Sequence, residues 1–72
     1  MITNTKPKEK LVNLRIKKGI SQKIAAELMG LGQTTLSMYE SGARMPRVDV
    51  AQRIAEFYGV SVDEIDFTGW RK

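Results

Sequence analysis

The sequence contains neither cysteine nor histidine. Without cysteine, no disulfide can staple a small fold and no thiolate is available as nucleophile or soft metal ligand; such a composition is compatible with a reducing compartment. Without histidine, the commonest acid–base group and zinc ligand is also missing, so a metal would have to be held by carboxylates alone. The acids are scattered over separate predicted helices with no paired arrangement, and no glycine-rich loop that would cradle a phosphate occurs. These absences argue against an enzyme and against any cofactor or metal. No apolar run approaches the ~20 residues needed to span a bilayer. The opening MITNTKPKEK lacks the apolar core of a secretory signal. A cytoplasmic protein is the expectation.

What is present is a short, basic, helix-patterned chain. A length of 72 residues leaves room for one small core. At that size stability is marginal, which favours local helical contacts, supported by dimerisation. The net charge of +4 and pI near 9.7 favour an acidic partner. The charge is also uneven. Lys6, Lys8, Lys10, Arg15, Lys17, Lys18 and Lys23 crowd the first third against one acid, Glu9, whereas Asp49, Glu56, Asp63, Glu64 and Asp66 gather in the last third. One end is suited to phosphate and the other is not.

The chain divides into an arm at 1–6, a domain at 7–67 and a tail at 68–72. Pro7 suits a first helical turn, and Leu11 and Leu14 mark a helix running to Lys18, ended by Gly19. Ser21 can cap a second helix in which Ala25, Leu28 and Met29 recur at helical spacing, with Gly30 closing it. Ala26 is small, which would let a following helix cross closely, and Leu31 plugs the turn. A third helix opens near Gln33; Leu36 and Tyr39 point one way, while Gln33, Thr34, Ser37 and Met38 point elsewhere. Pro46 precedes a fourth helix over 48–58, which buries Val50, Ala51, Ile54, Ala55 and Tyr58. Ser61 with Glu64 reads as a capping box for a short fifth helix over 62–66. Nothing alternates over a useful length, so the predicted class is all-α, a compact five-helix domain.

Helices two and three with their tight glycine turn form a helix-turn-helix pattern. The third helix has the polar, almost uncharged outer face suited to reading base edges in the major groove. Taken together, LRIKKGISQ, GLGQTTLSMYESGARMP and IAEFYGVSVDEI, in that order and spacing from Leu11 to Ile65, resemble the lambda-repressor-like (Cro/repressor-type, XRE) family of DNA-binding domains.

The resemblance implies roles for individual positions. Gln33, Thr34, Ser37 and Met38 stand where this family contacts bases. Gln22 stands where it binds phosphate and braces the residue at the Gln33 position. Lys23, Thr35, Arg44 and the backbone around Gly42 and Ala43 match further phosphate contacts, and Arg15 with Glu40 matches a structural ion pair. The residue chemistry is uneven in its support. A Gln amide donates and accepts together, which suits the N6/N7 edge of adenine. Thr34 and Ser37 are short enough to serve base or phosphate. Met38 either touches a thymine methyl or fills a surface gap. Arg47, where a capping Ser is frequent, either reaches phosphate or is a solvated charge. The recognition helix has no outward Lys or Arg, so affinity must come from its neighbours and from the basic first helix or arm.

One module covers half a site, so a homodimer on a palindromic operator, acting as a repressor of transcription, is the expectation, with Ile65, Phe67 and Trp70 as its interface. The alternative is an antitoxin-like protein-interaction module whose DNA binding is autoregulatory; Trp70 in the tail is the feature that suggests it.

Overall fold

Helix α1 (Leu11–Lys18) ends at Gly19 and α2 (Gln22–Met29) at Gly30; α3 (Gln33–Ser41) and α4 (Val48–Tyr58) complete the helical set. They come from a computed structural model that describes residues 8–67. The expected arm, Pro7 and the tail with Trp70 lie outside the described residues. Among the described residues no helix is long and apolar enough to cross a membrane.

Two expectations about the ends are corrected. The first helix begins at Leu11 rather than at Pro7, because Glu9–Lys10 is extended as a short strand, β1. It pairs in parallel with β2 (Ile65–Asp66), Glu9 opposite Ile65 and Lys10 opposite Asp66. The fifth helix over 62–66 shrinks to one 3-10 turn, Val62–Glu64, after which the chain is extended. The reason is the same for both. Ile65 must reach the core, and a two-residue strand pairing satisfies backbone groups that a further helical turn would have directed elsewhere. The ammonium of Lys10 closes this latch at 3.1 Å from Asp66 Oδ2.

The core is built where the helical stripes meet. Leu11, Leu36 and Ile54 are fully buried, one each from α1, α3 and α4, and Ala25, Ala26 and Met29 line the α2 side. Leu28 does not join them. It is 63 % exposed, because Ala25, Ala26 and Met29 define the inward direction of α2 and Leu28 points roughly a right angle away from it.

The turn between α2 and α3 is set by local bonding. The Ser21 hydroxyl accepts from the Ile24 N–H at 3.1 Å, capping α2. At the other end the Leu31 N–H donates to Ala26 O at 2.8 Å and the Gly30 N–H to Glu27 O at 3.2 Å. This closure needs a left-handed residue, and Gly30 has φ 73°, a conformation that costs an L-residue roughly 1–2 kcal/mol. The buried Ala26 methyl allows α3 to follow immediately across α2.

Candidate nucleic-acid interface

Helix α3 has two faces. Leu36, Tyr39 and Glu40 are buried, while Gln33, Thr34 and Ser37 are exposed, Met38 is half-buried and Thr35 is half-buried at the edge. Gly32 is the N-cap and makes no side-chain cap bond, so the first amides of α3 have no side-chain partner from that position. The exposed front carries hydroxyls and one amide and no charge of its own.

A hydrogen-bonded chain runs from α1 to the first residue of that front. Arg15 Nε donates to Glu40 Oε2 at 2.7 Å and Nη2 to Glu40 Oε1 at 3.3 Å, a forked, mostly buried ion pair. Arg15 Nη1 also donates to Ile20 O at 3.0 Å, which anchors the guanidinium to the loop before α2. Gln22 Nε2 donates to Glu40 Oε1 at 3.1 Å. Gln33 Nε2 in turn faces Gln22 Oε1 at 3.5 Å, long for a hydrogen bond. Together Gln22, Ser37, Glu40, Ser41 and Val12 line a shallow open depression between the helices. Burial pushes the nearby Tyr58 phenol up to about 12, the Glu40 carboxylate adding to the shift and Arg15 opposing it.

A helix-turn-helix with a buried back, a polar front and a braced leading glutamine is the arrangement just described, and the profile of the helix-turn-helix family matches residues 11–65, most of the chain. This chain belongs to that family, of the lambda-repressor-like (XRE) type, and carries its DNA-binding domain. It is similar to the cryptic phage CTXphi transcriptional repressor RstR of Vibrio cholerae, 32 % identical over 56 residues that make up 78 % of this chain and 50 % of that protein. The transcriptional regulator AnsR of Bacillus subtilis is 33 % identical over 57 residues, 79 % of this chain and 49 % of AnsR. The transcriptional activator BcrR of Enterococcus faecalis is 35 % identical over 57 residues, 79 % of this chain and 28 % of BcrR. The chain thus spans about half the length, or less, of these curated relatives. No solved structure matches it significantly.

Within this helix-turn-helix domain, the cations divide into two groups. Four of the first third have partners within the chain: Lys10 with Asp66, Arg15 with Glu40, Lys17 with Glu9 at 2.8 Å, and Lys18 over the Phe57 ring at 5.2 Å. Lys17 and Lys18 nonetheless remain exposed at the end of α1. Lys23 at the front of α2, and Arg44 and Arg47 in the segment after α3, are exposed. The backbone donors expected at Gly42 and Ala43 are not free either. The Gly42 N–H donates to Tyr39 O at 3.3 Å and the Ala43 N–H to Ser41 Oγ at 3.3 Å. A phosphate at that corner would have to displace these bonds, whereas the Arg44 side chain is open to it.

The expected self-association surface also changes. Ile65 is 2 % exposed and belongs to the core, so it has no surface to offer a second copy. Phe67 is half-buried against the core, and Trp70 lies outside the described residues.

Two supporting features had no sequence signal. Arg53, on the exposed side of α4, donates from Nη1 to Met29 O at 3.4 Å and so holds the last turn of α2 beside the helix-turn-helix corner. Glu40 was legible as an ion-pair partner, but its bond to Gln22, 18 residues away, exists because α2 and α3 are folded against each other.

Proposed function

We propose that this chain regulates transcription by binding a palindromic duplex operator as a homodimer, with the front of α3 in the major groove of each half-site, and that it acts as a repressor. The observation that carries this reading is the two-faced α3: its back is in the core, and its front presents Gln33, Thr34 and Ser37 to the outside. A face of short polar groups can approach base edges closely without the desolvation cost of charges. In this reading Gln33 reads an adenine edge, Thr34 and Ser37 contact base or phosphate, and Met38 covers a thymine methyl. Gln22, Lys23, Thr35, Arg44 and Arg47 hold the strands, and their contacts fix the register in which the front of α3 meets the bases.

Dimerisation follows from arithmetic. A few base contacts at ~1–3 kcal/mol each discriminate poorly against a genome of competing sites. Two copies related by a two-fold axis read successive major grooves roughly 34 Å apart and double that discrimination. The proposed contact between copies is Phe67 with Trp70. Repression is supported by the likeness to a phage repressor, RstR.

Selection of bound duplexes from a random pool tests the whole reading. A two-fold symmetric motif with half-sites about one helical turn apart is the expected result. Gln33→Ala should then erase the preference at one position of each half-site and leave non-specific binding largely intact. Equal loss on every sequence would remove Gln33 from readout, and absence of any selected motif at low salt would refute the function.

A further inference from the structure

We infer, on the reading of Arg44 as a phosphate contact, that the Ser41 hydroxyl sets the register of the corner after α3 and thereby positions the Arg44 side chain at the DNA backbone. Helices α2 and α4 end alike. In each, the residue after the closing glycine donates five positions back: Leu31 N–H to Ala26 O at 2.8 Å and Val60 N–H to Ala55 O at 3.0 Å. This is the ordinary closure of a helix by a left-handed glycine. Helix α3 departs from it. Ala43 follows its closing Gly42, and the equivalent acceptor is Met38 O, yet the bond to Met38 O comes from the Arg44 N–H at 3.2 Å, one residue later. Gly42 is turned to suit, with ψ 6° against 28° at Gly30 and 30° at Gly59.

The longer loop strands the Ala43 N–H, and Ser41 takes it up. A hydroxyl can donate and accept at once. That of Ser41 donates to Met38 O at 3.2 Å and accepts from the Ala43 N–H at 3.3 Å, so it stands between the two groups that the ordinary closure would join to each other. With the hydroxyl removed, nothing separates them, and the Ala43 N–H reverts to Met38 O. Arg44 then moves one place outward along the chain, a step of up to ~3.8 Å between Cα positions. A guanidinium bond to phosphate is short and directional, so a shift of this size breaks it or leaves it to a mobile side chain. Ser41 is thus a positioning residue: it acts through Arg44 and does not itself grip the strand.

The test measures binding of the full chain to a fluorescein-labelled duplex of random sequence by fluorescence anisotropy over a salt series, because phosphate contacts carry no sequence information. The proteins are wild type, Ser41→Ala, Ser41→Thr, Arg44→Ala and the double variant Ser41→Ala/Arg44→Ala, with thermal unfolding in parallel. Alanine is the best helix former, so Ser41→Ala keeps the end of α3 and should stay folded. Should it melt below the assay temperature, Ser41→Cys takes its place, since a thiol has the volume of the hydroxyl group but bonds weakly. Arg44→Ala should lose roughly tenfold in affinity at low salt and about one unit of the slope of log affinity against log salt. Ser41→Ala should lose several-fold and most of the same unit of slope, and adding it to Arg44→Ala should cost nothing further. Ser41→Thr keeps a hydroxyl that can bond the carbonyl three residues back and should bind like the wild type. Wild-type affinity for Ser41→Ala refutes the positioning role. So does an equal loss from Ser41→Ala in the presence and absence of Arg44, which would make Ser41 a strand contact in its own right. If Arg44→Ala itself leaves affinity and slope unchanged, the phosphate contact fails and the positioning role falls with it.

Discussion

Replacing Arg15 by methionine should come close to unfolding this domain. The guanidinium is held by three bonds, two to Glu40 and one to Ile20 O, and the paired side chains are 16 % and 6 % exposed. Methionine fills much of the volume but leaves the Glu40 carboxylate buried with Gln22 as its polar neighbour. Removing one member of a buried ion pair costs about 3–5 kcal/mol. A chain of 72 residues has roughly 4–11 kcal/mol of total stability. The loss should therefore consume a quarter or more of it, roughly, and lower the melting temperature by on the order of 12–24 °C even at the low end of the cost. The measurement is urea unfolding followed by far-ultraviolet circular dichroism, with melts alongside. The double variant Arg15→Met/Glu40→Leu should recover most of the loss, since an apolar pair of similar volume replaces a buried ion pair at little or no cost. A loss below about 1 kcal/mol for Arg15→Met, or a double variant no more stable than the single one, would refute the claim that the pair is a desolvated scaffold.

Other consequences are smaller and separable. Ser21→Ala removes the hydroxyl that accepts from the Ile24 N–H and should cost about 1 kcal/mol of stability in the same urea assay. Arg44→Ala should weaken binding to all duplexes alike and reduce the slope of log affinity against log salt by about one, which a titration over several salt concentrations reads directly. Tyr58 supplies a pH dependence. Its folded-state value of about 12 lies above the ordinary 10.0, so the phenol favours the folded state fully below pH 10 and loses that contribution as pH rises toward 12. The cause is burial, and the phenol oxygen has no hydrogen-bond partner among the described residues. Tyr58→Phe should flatten this part of the alkaline loss of stability, measured as urea midpoints across that range; an unchanged alkaline slope would show that the phenol titrates as it does in the unfolded chain.

Much of the domain was legible because its signals are local. Ser21, Gly30, Gly42 and Gly59 mark helix ends through their own backbone preferences, and the bounds of α2, α3 and α4 follow from them. The two-faced character of α3 was readable from the spacing of Leu36 and Tyr39 against Gln33, Thr34 and Ser37. The departures fall where distant residues decide. Strands of two residues carry no alternation to detect, so β1 and β2 pattern as helix, and only the pairing of Glu9 with Ile65 makes them extended. Leu28 looks like a core residue by type and spacing, yet the direction of the core is defined by what packs on Ala25, Ala26 and Met29. Composition showed an excess of cations in the first third; which of them find partners within the chain depended on Glu9, Glu40, Asp66 and Phe57, three of which lie far along the chain.

By itself, then, the sequence determined the helix-turn-helix and the polar outer face of α3, since capping, glycine closure and helical period act over a few residues. Tertiary structure alone decided the removal of Ile65 from the surface and the pairing of Lys10 with Asp66 and of Arg15 with Glu40. Each depends on a hydrogen bond, an ion pair or a packed surface joining residues far apart in the chain, and chain folding creates that proximity.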